Sequence, residues 1–242
     1  MSKVVAIIPA RYNSTRFPGK VLEKIGEKTI LQMVFEKVNQ AQFIDEIVIA
    51  TDDNRIMDAA SSFGAYSEMT FSTHKSGTDR CAQVSNNFWD DDIIINIQAD
   101  EPFINPEIID LLALKMKDDN WIEIATLCSK CKNSFEVSDP NTVKLVKDIY
   151  NKALYFSRSV IPFDRDKKNE ISYFKHIGIY AYRNKILQVI AGLKESLLEK
   201  AEKLEQLRWM ENGYKIHAFE VEYEGFGIDT KEDLDKVIKE HL

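Results

Sequence analysis

VVAIIPARYNSTRFPGK (residues 4–20) sets the reading of the whole chain. The apolar residues 4–8 have the composition of a buried strand, and that strand empties into a loop carrying Arg11, Arg16 and Lys20 with no acidic residue among them. Pro9 and Pro18 stiffen the loop, and Gly19 lets its backbone approach a ligand closely. Open α/β sheets hold phosphorylated ligands at the carboxyl ends of their strands, which is where these cations fall. The stretch is not a P-loop, because the upstream glycine and the Ser or Thr after the lysine are missing. The alternative is a solvated basic turn; its place after the first strand favours the ligand.

Working outward, the first half alternates strand and helix. Strands are predicted over 4–9, 46–51, 66–70 and 93–98, and helices over 30–38, 54–63, 79–87 and 106–117. The fourth strand is almost wholly apolar, as a central strand buried on both faces would be. The pattern predicts an α/β fold with a doubly wound, mostly parallel sheet. From about residue 126 the rhythm breaks. Short strands are expected over 143–147, 154–156, 176–182 and 215–221, with a polar insertion at 164–170. Helices are expected over 183–191 and 198–210, the second with a Glu199/Lys203 pair, and a last one starts from Thr230 as N-cap. The chain reads as one domain with a nucleotide-binding half (1–125) and a smaller closing lobe (126–242).

Composition removes whole classes. With 242 residues, 44% of them hydrophobic, the chain can bury a large core. A net charge of −7 argues against a general nucleic-acid binder, which needs a broad basic face. No run approaches the ~18 apolar residues of a membrane span, and the amino terminus enters a strand without signal-peptide architecture. The expectation is a soluble cytoplasmic protein. Cys128 and Cys131 have CxxC spacing, but no second pair exists for zinc, so these and Cys81 read as reduced, unliganded thiols, with the pair in a loop.

Two further stretches carry chemistry. Gln98-Ala99-Asp100-Glu101-Pro102 follows the central strand, where its carboxylates face the cationic loop. They suit Mg²⁺ bridging to nucleotide phosphates, or they form a polar turn ahead of a proline. Residues 74–80 (HKSGTDR) would present helix amides and hydroxyls to a ligand, or simply cap a helix. Asp90, Asp91 and Asp92 precede a strand and read as a solvated turn; Asp52 and Asp53 lie at the ligand end, capping the next helix and shaping the pocket.

Taken in order, PARYNSTRFPGK (9–20), ATD (50–52), SGTDR (76–80), QADEP (98–102), ALYFSR (153–158), KHIGIYAY (175–182), LEQLR (204–208) and IDTKEDL (228–234) resemble the bacterial 3-deoxy-manno-octulosonate cytidylyltransferases over essentially the whole chain. One departure is visible: the family's usual glycine is Ala99 here. The resemblance implies a nucleotidyltransferase-type fold with a sugar-binding and dimerisation lobe. It implies the reaction of CTP with 3-deoxy-manno-octulosonate (Kdo) to give CMP-Kdo and pyrophosphate for lipopolysaccharide synthesis, with Mg²⁺ as cofactor. By the same resemblance Arg11 and Lys20 hold the CTP phosphates, Ser76 and Gly77 line the nucleotide pocket, and Asp100 and Asp229 bind the metal. Gln98 lies between nucleotide and sugar, Arg158 meets the sugar carboxylate, and His176, Tyr180, Glu205 and Gln206 line the polyol face. Catalysis then rests on Arg11, Lys20, Asp100 and Asp229, with no dedicated general base. Without the resemblance, His176 reads as a core histidine, Glu205 and Gln206 as an exposed helix face, and Arg158 as a partner of Asp164 or Asp166. The implied partners are CTP, a Kdo-type sugar acid and a second copy in a homodimer. Rival readings are 8-amino-Kdo or a sialic-type acid as substrate, a metal-dependent glycosyltransferase, and a non-enzymatic nucleotide sensor.

Overall fold

Parallel pairing begins at β1 (Val4–Ala10), flanked by β4 (Glu46–Thr51) and β6 (Ile93–Asn96) in a computed structural model of the chain. The structure describes residues 2–241 apart from 14–16, 167–170, 224 and 226. Arg16 and part of the insertion at 164–170 therefore lie outside the described residues. Beyond β4 runs β5 (Ser67–Met69), also parallel. On the other side β10 (Phe174–Arg183) pairs antiparallel with β6 and with β7 (Ile124–Lys130), and β11 (Ile216–Glu220) closes that edge parallel to β7. The order is β11-β7-β10-β6-β1-β4-β5, so a strand from the second half is inserted into the sheet of the first. The hairpin of β8 (Lys144–Lys147) and β9 (Ala153–Ser157) hangs from β10. A two-stranded ribbon, β2 (Lys24–Ile25) and β3 (Lys28–Thr29), lies outside the main sheet.

Helices cover both faces, as strands apolar on both sides require. One core layer joins alternate residues of β1 and β6 (Val4, Ala6, Ile8, Ile93, Ile95) to α1 (Ile30–Val38) and α4 (Pro106–Asp118). The other joins Val5, Ile7 and Ile94 to α3 (Gly77–Ser85) and α6 (Asn184–Ala191). Between these strands, α2 (Asn54–Ser62) links β4 to β5, and α5 (Ser134–Ser138) follows β7. A third, small cluster packs α9 (Lys231–His241) through Leu234 and Val237 onto Ile25 and Ile30, with Ile228 between them. Among the described residues no helix is long and apolar enough to cross a membrane.

Four expectations change. The helix expected over 198–210 is two helices, α7 (Leu197–Glu202) and α8 (Gln206–Glu211), broken where Lys203 takes a left-handed φ of 54°. The break turns Glu205 and Gln206 inward, and Glu199 pairs with Arg208 at 2.8 Å across the bend instead of with Lys203 along a helix. Asp92 is not solvated: it is buried, accepting from the amides of Lys3 and Trp89. Cys128 lies within β7, not in a loop, and burial pushes its thiol up to about 11. It, Cys81 and Cys131 are free cysteines.

Candidate functional site

The carboxyl ends of β1 and β6 open onto a cavity of about 270 Å³ whose walls include Arg11, Lys20, Ser76, Gly77, Arg80, Gln98, Ala99, Asp100 and Asp229. Local chemistry builds each wall. Gly19 sits at φ 74°, in the left-handed region, and its amide donates to the Tyr12 carbonyl at 2.7 Å, folding the loop back to deliver Lys20. From α2, the Arg55 guanidinium lies 3.3 Å above the Tyr12 ring and is itself clamped by Asp53 at 2.6–2.8 Å. Across the cavity Ser76 and Asp79 form a capping box that opens α3. Gly77 allows that helix to begin against β1, since a Cβ there would stand 3.2 Å from Pro9 Cγ. Ala99 is buried in the wall without a positive φ, so its methyl group is accommodated.

Three residues distant in sequence meet here. Lys20 Nζ lies 2.5 Å from Asp100 Oδ2 and 3.2 Å from Asp229 Oδ1, and donates to the Ile228 carbonyl at 2.9 Å. Asp229 arrives because Ile228 is buried under α9 and its amide donates to the Asp100 carbonyl at 2.9 Å. Beside Asp100, burial pushes the Glu101 carboxyl up to about 7, although the Tyr223 hydroxyl donates to it at 2.5 Å. Among the described residues no group of three or more His, Cys, Asp and Glu forms a metal cage. Two carboxylates converging on one cation are a donor set that fits Mg²⁺, which takes few protein carboxylates and completes its shell with phosphate and water.

A second cavity of about 240 Å³ adjoins the first and shares Gly77 and Gln98 with it. Thr78, Asn96, His176, Gly178, Tyr180, Glu205, Gln206 and Trp209 line it. Gln98 Nε2 donates to the Gly178 carbonyl at 3.1 Å, which fixes the partition between the two spaces. Four buried polar atoms of its walls, Asn96 Oδ1, Tyr180 Oη, Gln206 Nε2 and Trp209 Nε1, have no partner in the protein. Buried polar atoms are nearly always satisfied, so a wall with four such groups is built for a polar occupant. Glu205 accepts from Thr78 at 2.6 Å and pairs with Arg208 at 3.2 Å; burial raises its carboxyl above the ordinary range.

His176 stands between Phe156 and Tyr180, with ring centroids 5.2 and 5.3 Å away, and its Nε2 is 3.0 Å from Thr126 Oγ1. The single hydroxyl proton of Thr126 serves the Ile179 carbonyl at 2.7 Å, so Nε2 carries the hydrogen and Nδ1 is left as acceptor. Burial lowers the imidazole to about 3. The native ring thus stays neutral while an unfolded histidine takes up a proton below pH ~6.5. Its stabilising contribution is complete above pH ~6.5 and is lost as pH falls from there toward 3, at up to about 1.4 kcal/mol per unit. In His176→Gln this part of the acid sensitivity should vanish. Urea unfolding at several pH values between 4 and 7 checks it, and an unchanged slope would remove the assignment.

Arg158 lines neither cavity. Its Nε and Nη1 donate to the carbonyls of Glu202 and Pro140 at 2.8 and 2.9 Å, tying β9 to α7, so the structure does not bring it to the expected sugar site. Sequence reasoning passed over Asn96, Trp209 and Tyr223. Asn96, a polar residue ending the apolar strand β6, was a readable signal; Trp209 and Tyr223 look like ordinary core aromatics.

Against known proteins, a model of the Cytidylyltransferase family matches residues 5–216. A 3-deoxy-manno-octulosonate cytidylyltransferase of Solibacter usitatus is 47% identical, over 97% of this chain and 93% of the relative. One of Thermodesulfovibrio yellowstonii is 48% identical, over 96% and 95%. The fold superposes with a TM-score of 0.94 on a solved CMP:2-keto-3-deoxy-manno-octonic acid synthetase complexed with CTP, 45% identical and covered over 98% of both chains.

Proposed function

This chain belongs to the 3-deoxy-manno-octulosonate cytidylyltransferase family, and on that premise we propose that it transfers CMP from CTP to the anomeric hydroxyl of Kdo, releasing pyrophosphate. The hydroxyl oxygen bonds to the α-phosphorus as the bond from that phosphorus to the oxygen bridging it to the β-phosphate breaks; that oxygen leaves as a terminal oxygen of pyrophosphate, and the hydroxyl proton passes to solvent. Alignment and charge neutralisation supply most of the rate in such a transfer, and little covalent work falls to the protein. What carries the reading is the pair of adjoining cavities that share Gly77 and Gln98. One has the cations and paired carboxylates that a metal-bound triphosphate needs; the other has unpaired polar atoms that suit a polyol.

In this reading Arg11 and Lys20 hold phosphate oxygens, and Ser76 and Gly77 set the start of α3 against the nucleotide. Gln98, held to Gly178, keeps the attacking hydroxyl against the α-phosphate at the shared wall. Glu205, Gln206, Tyr180 and the acceptor Nδ1 of His176 orient the sugar. Asp100 and Asp229 would hold Mg²⁺, whose chemistry when bound is to neutralise triphosphate charge and lower the pKa of the attacking hydroxyl. The product serves lipopolysaccharide synthesis, and with CTP as substrate the protein works in the cytoplasm. The exposed apolar residues Ile149, Tyr150 and Leu154 of the β8–β9 hairpin suit burial in a homodimer.

Pyrophosphate release with CTP and Mg²⁺, measured with and without Kdo, tests the activity. Release that depends on Kdo supports it. Release only with 8-amino-Kdo or a sialic-type acid would move the substrate, and release with no acceptor at all would overturn the reading. Tyr180→Phe separates function from folding. Its hydroxyl has no protein partner, so stability should stay within about 1 kcal/mol of wild type. The KM for the sugar acid should rise about tenfold, the loss of one hydrogen bond to substrate. Sugar titrations and melting on the same sample check both.

A further inference from the structure

Lys20 makes three contacts, to Asp100, Asp229 and the Ile228 carbonyl. An ammonium has three hydrogens and no more. All three are committed, so as it stands Lys20 has none left for a phosphate oxygen. The residue is only 8% exposed, and it is enclosed by the acids that would take the metal. One position therefore has two claimants. Asp100 and Asp229 converge on a single point, and a point between two carboxylates must hold a cation or suffer their repulsion.

We propose that Lys20 is a resident counter-cation that occupies the divalent-metal position until metal and triphosphate arrive together, and then exchanges Asp100 and Asp229 for phosphate oxygens. The inference rests on the cytidylyltransferase reading for the identity of the incoming anion, and on the geometry for the exchange. A metal entering alone must take both carboxylates from the ammonium and leave it enclosed with the Ile228 carbonyl alone as acceptor and no counter-charge, which is unfavourable. A triphosphate entering alone finds the lysine already committed. Entering together, each supplies what the other removes: the metal takes the two carboxylates, and the phosphates take the ammonium. The binding of metal and nucleotide is then positively coupled, and by linkage the coupling is reciprocal. The enzyme would hold little metal between turnovers, although its carboxylates face one another.

The test is a titration of the nucleotide-free full chain with Mn²⁺ alone, read by calorimetry. Lys20→Met should bind Mn²⁺ at least about tenfold more tightly than wild type, the equivalent of one charge-assisted hydrogen bond no longer competing. Lys20→Gln, which keeps a donor but not the charge, should do the same if the methionine variant does not fold. Lys20→Arg, which keeps the charge, should stay weak. In the Lys20→Met background Asp100→Asn should abolish the gain. Equal or weaker Mn²⁺ binding in both neutral variants overturns the exchange, and so does tight binding that survives Asp100→Asn. Because Mn²⁺ binding is read without turnover, its failure is separable from that of the catalytic reading. A wild type active on CTP and Kdo, with no gain in Lys20→Met, sinks the exchange alone. A gain in Lys20→Met with an inactive wild type sustains the exchange and sinks the substrate assignment.

Discussion

Asp100→Asn and Asp229→Asn should each lose at least about a hundredfold in turnover, about 2.7 kcal/mol of transition-state stabilisation, because each removes charge that holds one metal. Combining them should cost far less than the product of the two losses, since both act through the same ion. The geometry behind this is that both carboxylates lie on a single ammonium, at 2.5 and 3.2 Å. Asp229 stands two residues before α9, where a capping side chain is worth ~1 kcal/mol. That work falls to its neighbours instead. Thr230 Oγ1 accepts from the Asp233 amide at 3.2 Å, and the Asp233 carboxylate accepts from the Thr230 amide at 2.9 Å. Asparagine at 229 leaves this box intact, so melting should hardly change while turnover collapses. Both quantities are to be measured on one sample. A folded and fully active Asp229→Asn enzyme, or losses that simply multiply, would remove the shared metal.

The strand-helix alternation of the first half was legible because strands buried on both faces are written as apolar runs, each ended by a loop. The insertion of β10 between β6 and β7 was not, since an antiparallel return strand from the second half reads no differently from an edge strand. The bend at Lys203 was hidden for a physical reason. Its left-handed φ is taken by a lysine, with neither glycine nor proline to mark it, so the apolar spacing across 198–210 reads as one helix. That bend delivers Glu205 and Gln206 to the second cavity, so the roles the resemblance implied for them had no visible cause in the local sequence. Arg158 shows the opposite: a motif match supplied a role, while the side chain is engaged by two backbone carbonyls elsewhere. The cationic loop was legible as charge without counter-charge. Its counter-charges, Asp100 and Asp229, lie 80 and 209 residues away along the chain.

A distant pairing of the same kind underlies the largest expected loss of stability. Asp52→Asn should destabilise the chain by about 2–3 kcal/mol, below the usual cost of breaking a buried ion pair because Asp52 is partly solvated. In a chain of this size that is roughly 5–10 °C in melting temperature. The residue follows β4, and Asp53, not Asp52, caps α2 by accepting from the Arg55 amide at 2.9 Å. Asp52 reaches instead to Arg80 on α3, 3.0 Å from its guanidinium, which is 4% exposed and also bonds Thr70. Asparagine would keep the shape and leave a buried cation without its anion. Changing both residues, Asp52→Asn with Arg80→Met, should recover much of the loss, because no charge is then stranded. Arg80 also lines the first cavity, so in Asp52→Asn the uncompensated guanidinium faces the place proposed for the triphosphate. CTP should therefore raise the melting temperature of the variant by more than it raises that of wild type. A loss under about 0.5 kcal/mol would mean that the pair behaves as a solvated surface bridge. Equal CTP shifts in the two proteins would mean that Arg80 serves the fold and not the nucleotide.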